Sequence, residues 1–500
     1  MSKTAANAVS DTHVAIPQTS HGDRARLVTI FGRLNEEGRK RVHYVFDSGT
    51  RDYVEEVCDG EQPVPSIALS MPAACWYERE LHDQFGIEIT GSPELRPLLF
   101  HANWPPDIHP LLPENLEGVT WPSLGDTSRS DAYRFLEVHG PGVAEVPVGP
   151  VHAGIIEPGH FRFSVIGDTV LHLELRHFYT HKGTEKIFQG YPLMEGPMLA
   201  ESVSGDNCFA HAVAYCQAVE AAFEVFVPPR AEALRLVGLE LERLISHIGD
   251  VGALCNDVAL TVAAARAAAM KEELLQASSR WIGTRYWRGV AAPGGLRAGV
   301  DVGATSVFAR AVDATARRFA ELAKVVLETS SVQDRFDSAG ILNRQVARDL
   351  AVVGPVARAS GINLDTRRDH PYGLYCKNEN QPKIPFIHYG DVLARARIRI
   401  EEAAESARLI QQTLAALPKG EVSSRFDSTR WAAGHSAVES PRGELFYWVE
   451  ASDGRIKRCH VKSPSFQNWP ALPFAVVGNV IADFPLINKS FNLSYSGCDR

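Results

Sequence analysis

Side chains able to do chemistry are spread along this sequence, and few fall into a pattern that names a reaction by itself. Arg367, Arg368 and Asp369 stand side by side in a stretch read as a loop. Two guanidinium groups there could stabilise an anionic intermediate or a reduced, negatively charged cluster. The same three residues could equally form a structural ion-pair network. Asp391, Arg395 and Arg399 recur at steps of four, the spacing of a solvated, salt-bridged helix face. Glu242 and His247 share a helical pattern with a leucine stripe, where buried, hydrogen-bonded roles are expected. The 8 cysteines include no pair at metal-cluster spacing, so the chain itself lacks a cluster-binding motif. Cys208 and Cys498 could pack as small hydrophobes or form a metal or redox pair. There is no glycine-rich phosphate loop.

The elements that must position these groups are set by composition and period. A length of 500 residues exceeds one compact core and suggests roughly three structural units. With 45% hydrophobic and 22% charged residues, the chain is an ordinary globular protein. Its net charge of −9 and pI of about 6.1 argue against a nucleic-acid partner held through phosphates. No stretch reaches the roughly 18 uninterrupted apolar residues of a membrane span. The richest one, Pro473 to Ile487, is broken by Gly478, Asn479 and Asp483. The polar N-terminus shows no signal-peptide region. We expect a cytoplasmic chain whose contact with a membrane, where there is any, goes through partners.

Residues 1–26 read as a disordered leader. Residues 27–122 read as a small α+β domain, with strands at Arg26–Phe31 and His43–Phe46, a helix within Gly49–Asp59 and a proline-rich connector from Trp104 to Pro122. A linker over 123–145 leads to a large unit over 146–500. There, Val165–Leu175 alternates around Gly167-Asp168, a hairpin turn. Pro228-Pro229 separates two helices. Leu234, Val237, Leu241, Leu244 and Ile248 then recur at steps of 3, 4, 3 and 4 and define one buried stripe. Helices over about 255–279, 305–328 and 390–416 complete a central bundle. Leu445–Glu450 and Arg455–Val461 flank Asp453-Gly454 as a peripheral hairpin. The fold class is α+β.

Two regions carry a resemblance. Trp76-Tyr77-Glu78-Arg79-Glu80-Leu81-His82-Asp83-Gln84-Phe85-Gly86-Ile87, followed by Gly91-Ser92-Pro93-Glu94-Leu95-Arg96, resembles the signature of the 30-kilodalton subunit of respiratory complex I. Gly149-Pro150-Val151-His152, Glu157-Pro158-Gly159-His160-Phe161-Arg162, His181-Lys182-Gly183-Thr184-Glu185-Lys186, Asp365-Thr366-Arg367-Arg368-Asp369-His370-Pro371-Tyr372 and the terminal Asp499-Arg500 resemble the large subunit of membrane-bound, energy-converting nickel–iron hydrogenases. The likeness is above all to the formate hydrogenlyase and hydrogenase-4 kind. The complex I 49-kilodalton subunit is a more distant relative. The order of the two regions also resembles formate hydrogenlyase.

The resemblance implies four nickel-binding thiolates, two of them also bridging to iron. In its register these positions hold Ser204, Asn207, Ser494 and Gly497. Hard oxygen donors and a missing side chain do not replace soft sulfur, so nickel is not expected. Nor is a maturation step expected, since the sequence stops at Arg500. The resemblance makes Glu185 a proton relay, a role suited to a carboxyl whose pKa burial has raised. The alternative is an exposed partner of Lys182 or Lys186. Asp257 falls where a complex I aspartate pairs with a quinone-binding histidine, which makes His152 or His160 its expected partner. Gly205 falls where complex I has its quinone tyrosine. The Trp76–Gly86 segment is expected to be docking surface.

The resemblance therefore implies a peripheral subunit of an oxidoreductase complex akin to NADH-quinone oxidoreductase, with no cofactor bound by this chain. Iron–sulfur clusters would sit in partners: a small iron–sulfur hydrogenase-like subunit and a ferredoxin-like subunit, beside integral membrane subunits. Quinone is a possible acceptor. A structural scaffold and a hydrogenase with atypical ligands are the alternatives.

Overall fold

The computed structural model describes residues 14–19, 24–101, 104–105, 107–113, 133–154, 156–297 and 302–500. Residues 1–13 and 20–23 of the expected leader, 114–122 of the connector and 123–132 of the linker lie outside them. The fold is mixed, with a small N-terminal domain and a large unit built around helices, as expected.

β1 (Arg26–Leu34), β2 (Lys40–Asp47) and β3 (Val54–Asp59) form an antiparallel sheet in that order. Both faces of the β1–β2 core of the sheet are covered. Leu27, Ile30, Tyr44 and Phe46 pack with Tyr77, Leu81 and Phe85 of helix α1 (Ala74–Phe85). Val28, Phe31 and Val45 pack on Phe446 and Trp448 of the large unit. The helix expected within Gly49–Asp59 is instead a turn followed by β3. Val54, Val57 and Cys58 pair with Phe46, His43 and Val42. Cross-strand pairing decides the conformation of this short charged segment.

In the large unit, β4 (Val143–Val148), β5 (His160–Ile166) and β6 (Thr169–Arg176) form a second antiparallel sheet. Its β5–β6 turn is Gly167-Asp168, as the alternation implies. A short helix, α2 (Thr184–Phe188), precedes α3 (Cys208–Phe223) and α4 (Pro229–Asp257). The stripe from Leu234 to Ile248 is buried throughout. The helix expected over 255–279 divides there: α4 runs to Asp257, Ala259 takes φ of 61°, and α5 (Thr261–Ile282) begins anew. With α6 (Thr305–Glu328) and α7 (Val392–Ala415), α4 and α5 make the central bundle. None of the helices among the described residues is long and apolar enough to cross a membrane.

The last sheet is β7 (Ala432–Ser440), β8 (Gly443–Ser452) and β9 (Arg455–Lys462). Asp453 and Gly454, at φ of 55° and 68°, close its second hairpin, the two-residue turn that matches strand twist. β7 carries Gly434 against the α3 backbone, where an added Cβ would lie 2.5 Å from the Ala222 nitrogen. The chain closes on α8 (Tyr495–Asp499).

The Trp76–Gly86 segment is not a docking surface. Tyr77, Glu78, Glu80, Leu81, Asp83, Gln84 and Phe85 are buried. Tyr77 donates to Gln467 Oε1 at 2.7 Å, and Arg500 donates to Glu80. The segment faces inward and joins the two domains of its own chain. Asp391, Arg395 and Arg399 are likewise buried, not solvated. Asp391 caps α7 through the Ala394 N–H at 2.7 Å, and Arg399 pairs with Asp250 at 3.2 Å. The period is helical, but α7 lies inside the bundle, so its polar stripe meets protein in place of water.

A lattice of buried charges joins the bundle to β7. Arg358 pairs with Glu402 (2.8 Å), Glu439 (2.9 Å) and Asp365 (3.2 Å). Arg367 pairs with Asp365 (2.7 Å) and Glu240 (2.9 Å), and His247 with Glu402 (2.8 Å). Removing one partner strands the rest. Arg358→Met is expected to cost about 3–5 kcal/mol of unfolding free energy in chemical denaturation. A loss under about 1 kcal/mol would show that the lattice is not structural.

Candidate functional site

A cavity of about 750 Å³ opens between the β4–β5 loop, the end of α4 and the C-terminal arm. His152, Asp257, Lys489, Tyr495, Ser494 and Arg442 are among the residues that line it. At its floor meet the four positions that the resemblance assigns to thiolates. Ser204 Oγ lies 3.0 Å from both Ser494 Oγ and Asp206 Oδ1. The Gly497 N–H donates to Ser494 Oγ at 2.9 Å, so Ser494 caps α8. Arg442, in the turn between β7 and β8, donates to Asn207 Oδ1 (2.9 Å) and to both Asp206 carboxylate oxygens (2.9 and 2.6 Å).

This floor is a closed hydrogen-bond set. Two hydroxyls, an amide and a glycine stand where a nickel–iron group would need thiolates, and such donors do not fit it. No group of three or more His, Cys, Asp or Glu among the described residues could hold a metal ion. The two arms converge, but Cys208 and Cys498 do not exploit it. Cys208 donates its S–H to the Tyr286 carbonyl at 3.1 Å. Burial pushes both thiols up, well above the usual range, so they behave as packed thiols and not as thiolates.

Electrostatics in the cavity are mixed. Asp206 is pulled below the usual carboxylate range: burial would raise it, and Arg442 overrides that. Burial lifts Asp257, with Lys489 opposing. The expected Asp257–histidine pair does not form. His152 Nε2 is bonded to the Gly159 carbonyl at 2.8 Å and His160 Nδ1 to the Gly149 carbonyl at 3.0 Å. Backbone carbonyls of the loop take these ring N–H groups. His152 and Asp257 share the cavity wall, whereas His160 is buried beside Phe135.

The other expected residues lie elsewhere. Glu185 is buried against Arg458 (2.6 Å), His460 (3.0 Å), the Val461 N–H (3.0 Å) and Arg500 (3.5 Å). Burial alone would raise its carboxyl, but Arg458, His460 and Arg500 hold it well below its usual range. The raised pKa expected of a relay is therefore absent at Glu185. Lys182 and Lys186 are not its partners: their ammonium groups donate to carbonyls, with Ser496 Oγ also taking Lys182. Arg367 belongs to the structural lattice. Arg368 pairs with Asp369 at 2.7 Å on a short helix. Neither reaches the cavity. Glu242 accepts the Phe209 and Ala210 N–H groups at the start of α3 and, through burial, rises to about 8.

Sequence reasoning misses Arg442, Lys489 and Tyr495. Only the Pro441-Arg442-Gly443 turn ahead of the Leu445–Glu450 strand pattern signals Arg442. Gly443, at φ of 128°, packs against the Gly354 backbone, where a Cβ would lie 2.8 Å from its nitrogen. The glycine lets this turn deliver Arg442 to the floor.

Comparison with known proteins agrees with this architecture. Residues 257–436 and 431–500 match the model of the respiratory-chain NADH dehydrogenase 49 Kd subunit, and residues 6–115 that of the 30 Kd subunit. Formate hydrogenlyase subunit 5 of Escherichia coli K12 is 32% identical over 95% of this chain and 84% of that protein. Hydrogenase-4 component G of the same organism is 33% identical over 94% of this chain and 80% of that one. A chain in the structure of the membrane-bound sulfane sulfur reductase, an archaeal respiratory membrane complex, aligns with a TM-score of 0.66 at 24% identity, covering 72% of this chain and 99% of that one. The molecule is thus a 30-kilodalton-type domain fused to a 49-kilodalton-type domain. It belongs to the family of formate hydrogenlyase subunit 5 and hydrogenase-4 component G.

Arg442 should hold the floor together. Arg442→Met is expected to lower stability by about 2–3 kcal/mol and to raise the Asp206 carboxyl out of its depressed range, since burial then acts without the guanidinium. An unchanged melting curve and an unchanged Asp206 titration would contradict this.

Proposed function

We propose that this chain is a cytoplasm-facing peripheral subunit of a membrane-bound oxidoreductase complex, and that the complex couples electron transfer to proton or ion movement without a nickel–iron centre in this subunit. Its family relatives are subunits of hydrogenase and NADH-quinone oxidoreductase-type complexes. The carrying observation is the cavity floor, where Ser204, Ser494, Gly497, Asn207 and Arg442 satisfy one another. The space above it is large enough for a quinone-type headgroup.

In this reading electrons arrive from iron–sulfur clusters in a small partner subunit beside ferredoxin-like and membrane subunits. The chain's own residues bind and protonate the acceptor. Lys489 and Arg442 place positive charge where a reduced acceptor oxygen gains negative charge. Asp257, raised by burial, and Tyr495 stand in the cavity wall as groups able to hold a proton.

The test is quinone-linked turnover of the natively purified complex. Asp257→Asn and Lys489→Met are each expected to lower it at least about tenfold, a modest loss for one positioned proton-handling or charge-stabilising group, with assembly unchanged. Unchanged turnover in both variants, or no quinone-linked turnover in the parent complex, would overturn the assignment of this cavity.

A further inference from the structure

The junction of the two domains holds a second carboxyl beside Glu185. Glu80, on α1 of the N-terminal domain, is buried and takes one donor, Arg500, on Oε1. Its Oε2 is buried with no hydrogen-bond partner. Arg500 is shared, since it also faces Glu185 at 3.5 Å and donates to the Val461 carbonyl. Among the described residues, the charged groups facing Glu80 belong to packed neighbours: Arg500 beyond α8, Glu185 on α2, Arg458 and His460 on β9. Tyr77 and Gln84 come from its own helix. Arg458 and His460 are committed to Glu185, which leaves Glu80 with part of one guanidinium.

A small cavity and a larger groove lie beside this carboxyl. Glu80, Glu185, Arg458 and His460 line one cavity of about 10 Å³, close to the smallest space that takes a water. A groove of about 400 Å³ lies next to it, and the two share Phe85, Leu111 and Arg458 as walls. Asn35, Glu36 and Lys457 line the groove's other side.

We propose that Glu80 is a proton-loading site: it takes a proton from solvent through this groove onto Oε2, and the charge of Glu185 across the domain boundary sets its occupancy. Only an O–H bond is made or broken, and the proton is exchanged with water. The physical cause is the balance of local charge. Burial lifts Glu80 most, Arg500 opposes and the Glu185 carboxylate adds to the lift, which brings it to about 7. Neutralising Glu185, or shifting its cations toward Glu80, would release the proton. The site rests on the proposed function only for the use the complex makes of that proton.

The experiment is a pH titration of the full chain by carboxyl-resolved NMR with labelled glutamate, or by infrared difference spectroscopy. One carboxyl is expected to titrate near 7 and to disappear in Glu80→Gln, which keeps the Arg500 acceptor. Glu185→Gln removes a like charge and frees Arg458, and should move that midpoint down by about 1–3 pH units. No Glu80-dependent carboxyl near neutrality, or a midpoint unmoved by Glu185→Gln, overturns the proposal. Should Glu80→Gln fail to fold, the Glu185→Gln shift decides alone. These readouts need no acceptor and no partner, so they stand apart from the quinone assay.

Discussion

Arg358 has no solvent exposure and faces three carboxylates, and much of the large unit hangs on that arrangement. Glu402 comes from α7, Glu439 from β7 and Asp365 from the loop before the Arg367 turn. Arg367 and Arg243 extend the lattice to Glu240 on α4. Four carboxylates meet three guanidinium groups and His247. Burial, with Asp365 beside it, pushes Glu439 up, so Glu439 is the member closest to keeping a proton. An isolated charge in this position would be costly, and the lattice persists because each member satisfies the others.

The lattice also sets the cavity floor. Arg243 donates to the Glu439 and Ser440 carbonyls at 2.6 and 2.9 Å. That fixes the end of β7. Two residues on, Arg442 reaches Asp206 and Asn207. The bundle therefore positions the turn, the turn positions one guanidinium, and the guanidinium ties together the arms that carry Ser204 and Ser494. Hydrogen bonds thus join the two converging arms of the large unit. Arg500 does comparable work at the other end, binding the C-terminal arm to Glu80 of the N-terminal domain.

Local signals in the sequence are sufficient for elements whose period or turn chemistry is strong. The Leu234–Ile248 stripe, the Gly167-Asp168 turn and the Asp453-Gly454 turn all stand where spacing puts them. β7 is invisible because Ala432–Ser440 is rich in Ala, Gly and Ser and shows no alternation. Its strand state comes from β8 and from the close approach of α3. The site is legible only in part. The lost-ligand positions are legible as neighbours through the resemblance, and Ser204 and Ser494 do touch. The charge state of Glu185 cannot be read locally. The residues that set it, Arg458, His460 and Arg500, lie some 270 positions or more away in the chain. Arg395 and Arg399 read as solvated for the same reason: period reports a helix face, and only tertiary packing says what covers it.

The proposed function turns on the hydrogen bonding among Ser204, Ser494, Asn207, Gly497 and Arg442, a donor set that does not fit a thiolate-bound metal centre. Elemental analysis of the natively purified complex, with each metal assigned to its subunit after separation, tests it most directly. The expected result is iron in partner subunits and no stoichiometric nickel with this chain. One nickel per copy, retained by this subunit, would contradict it.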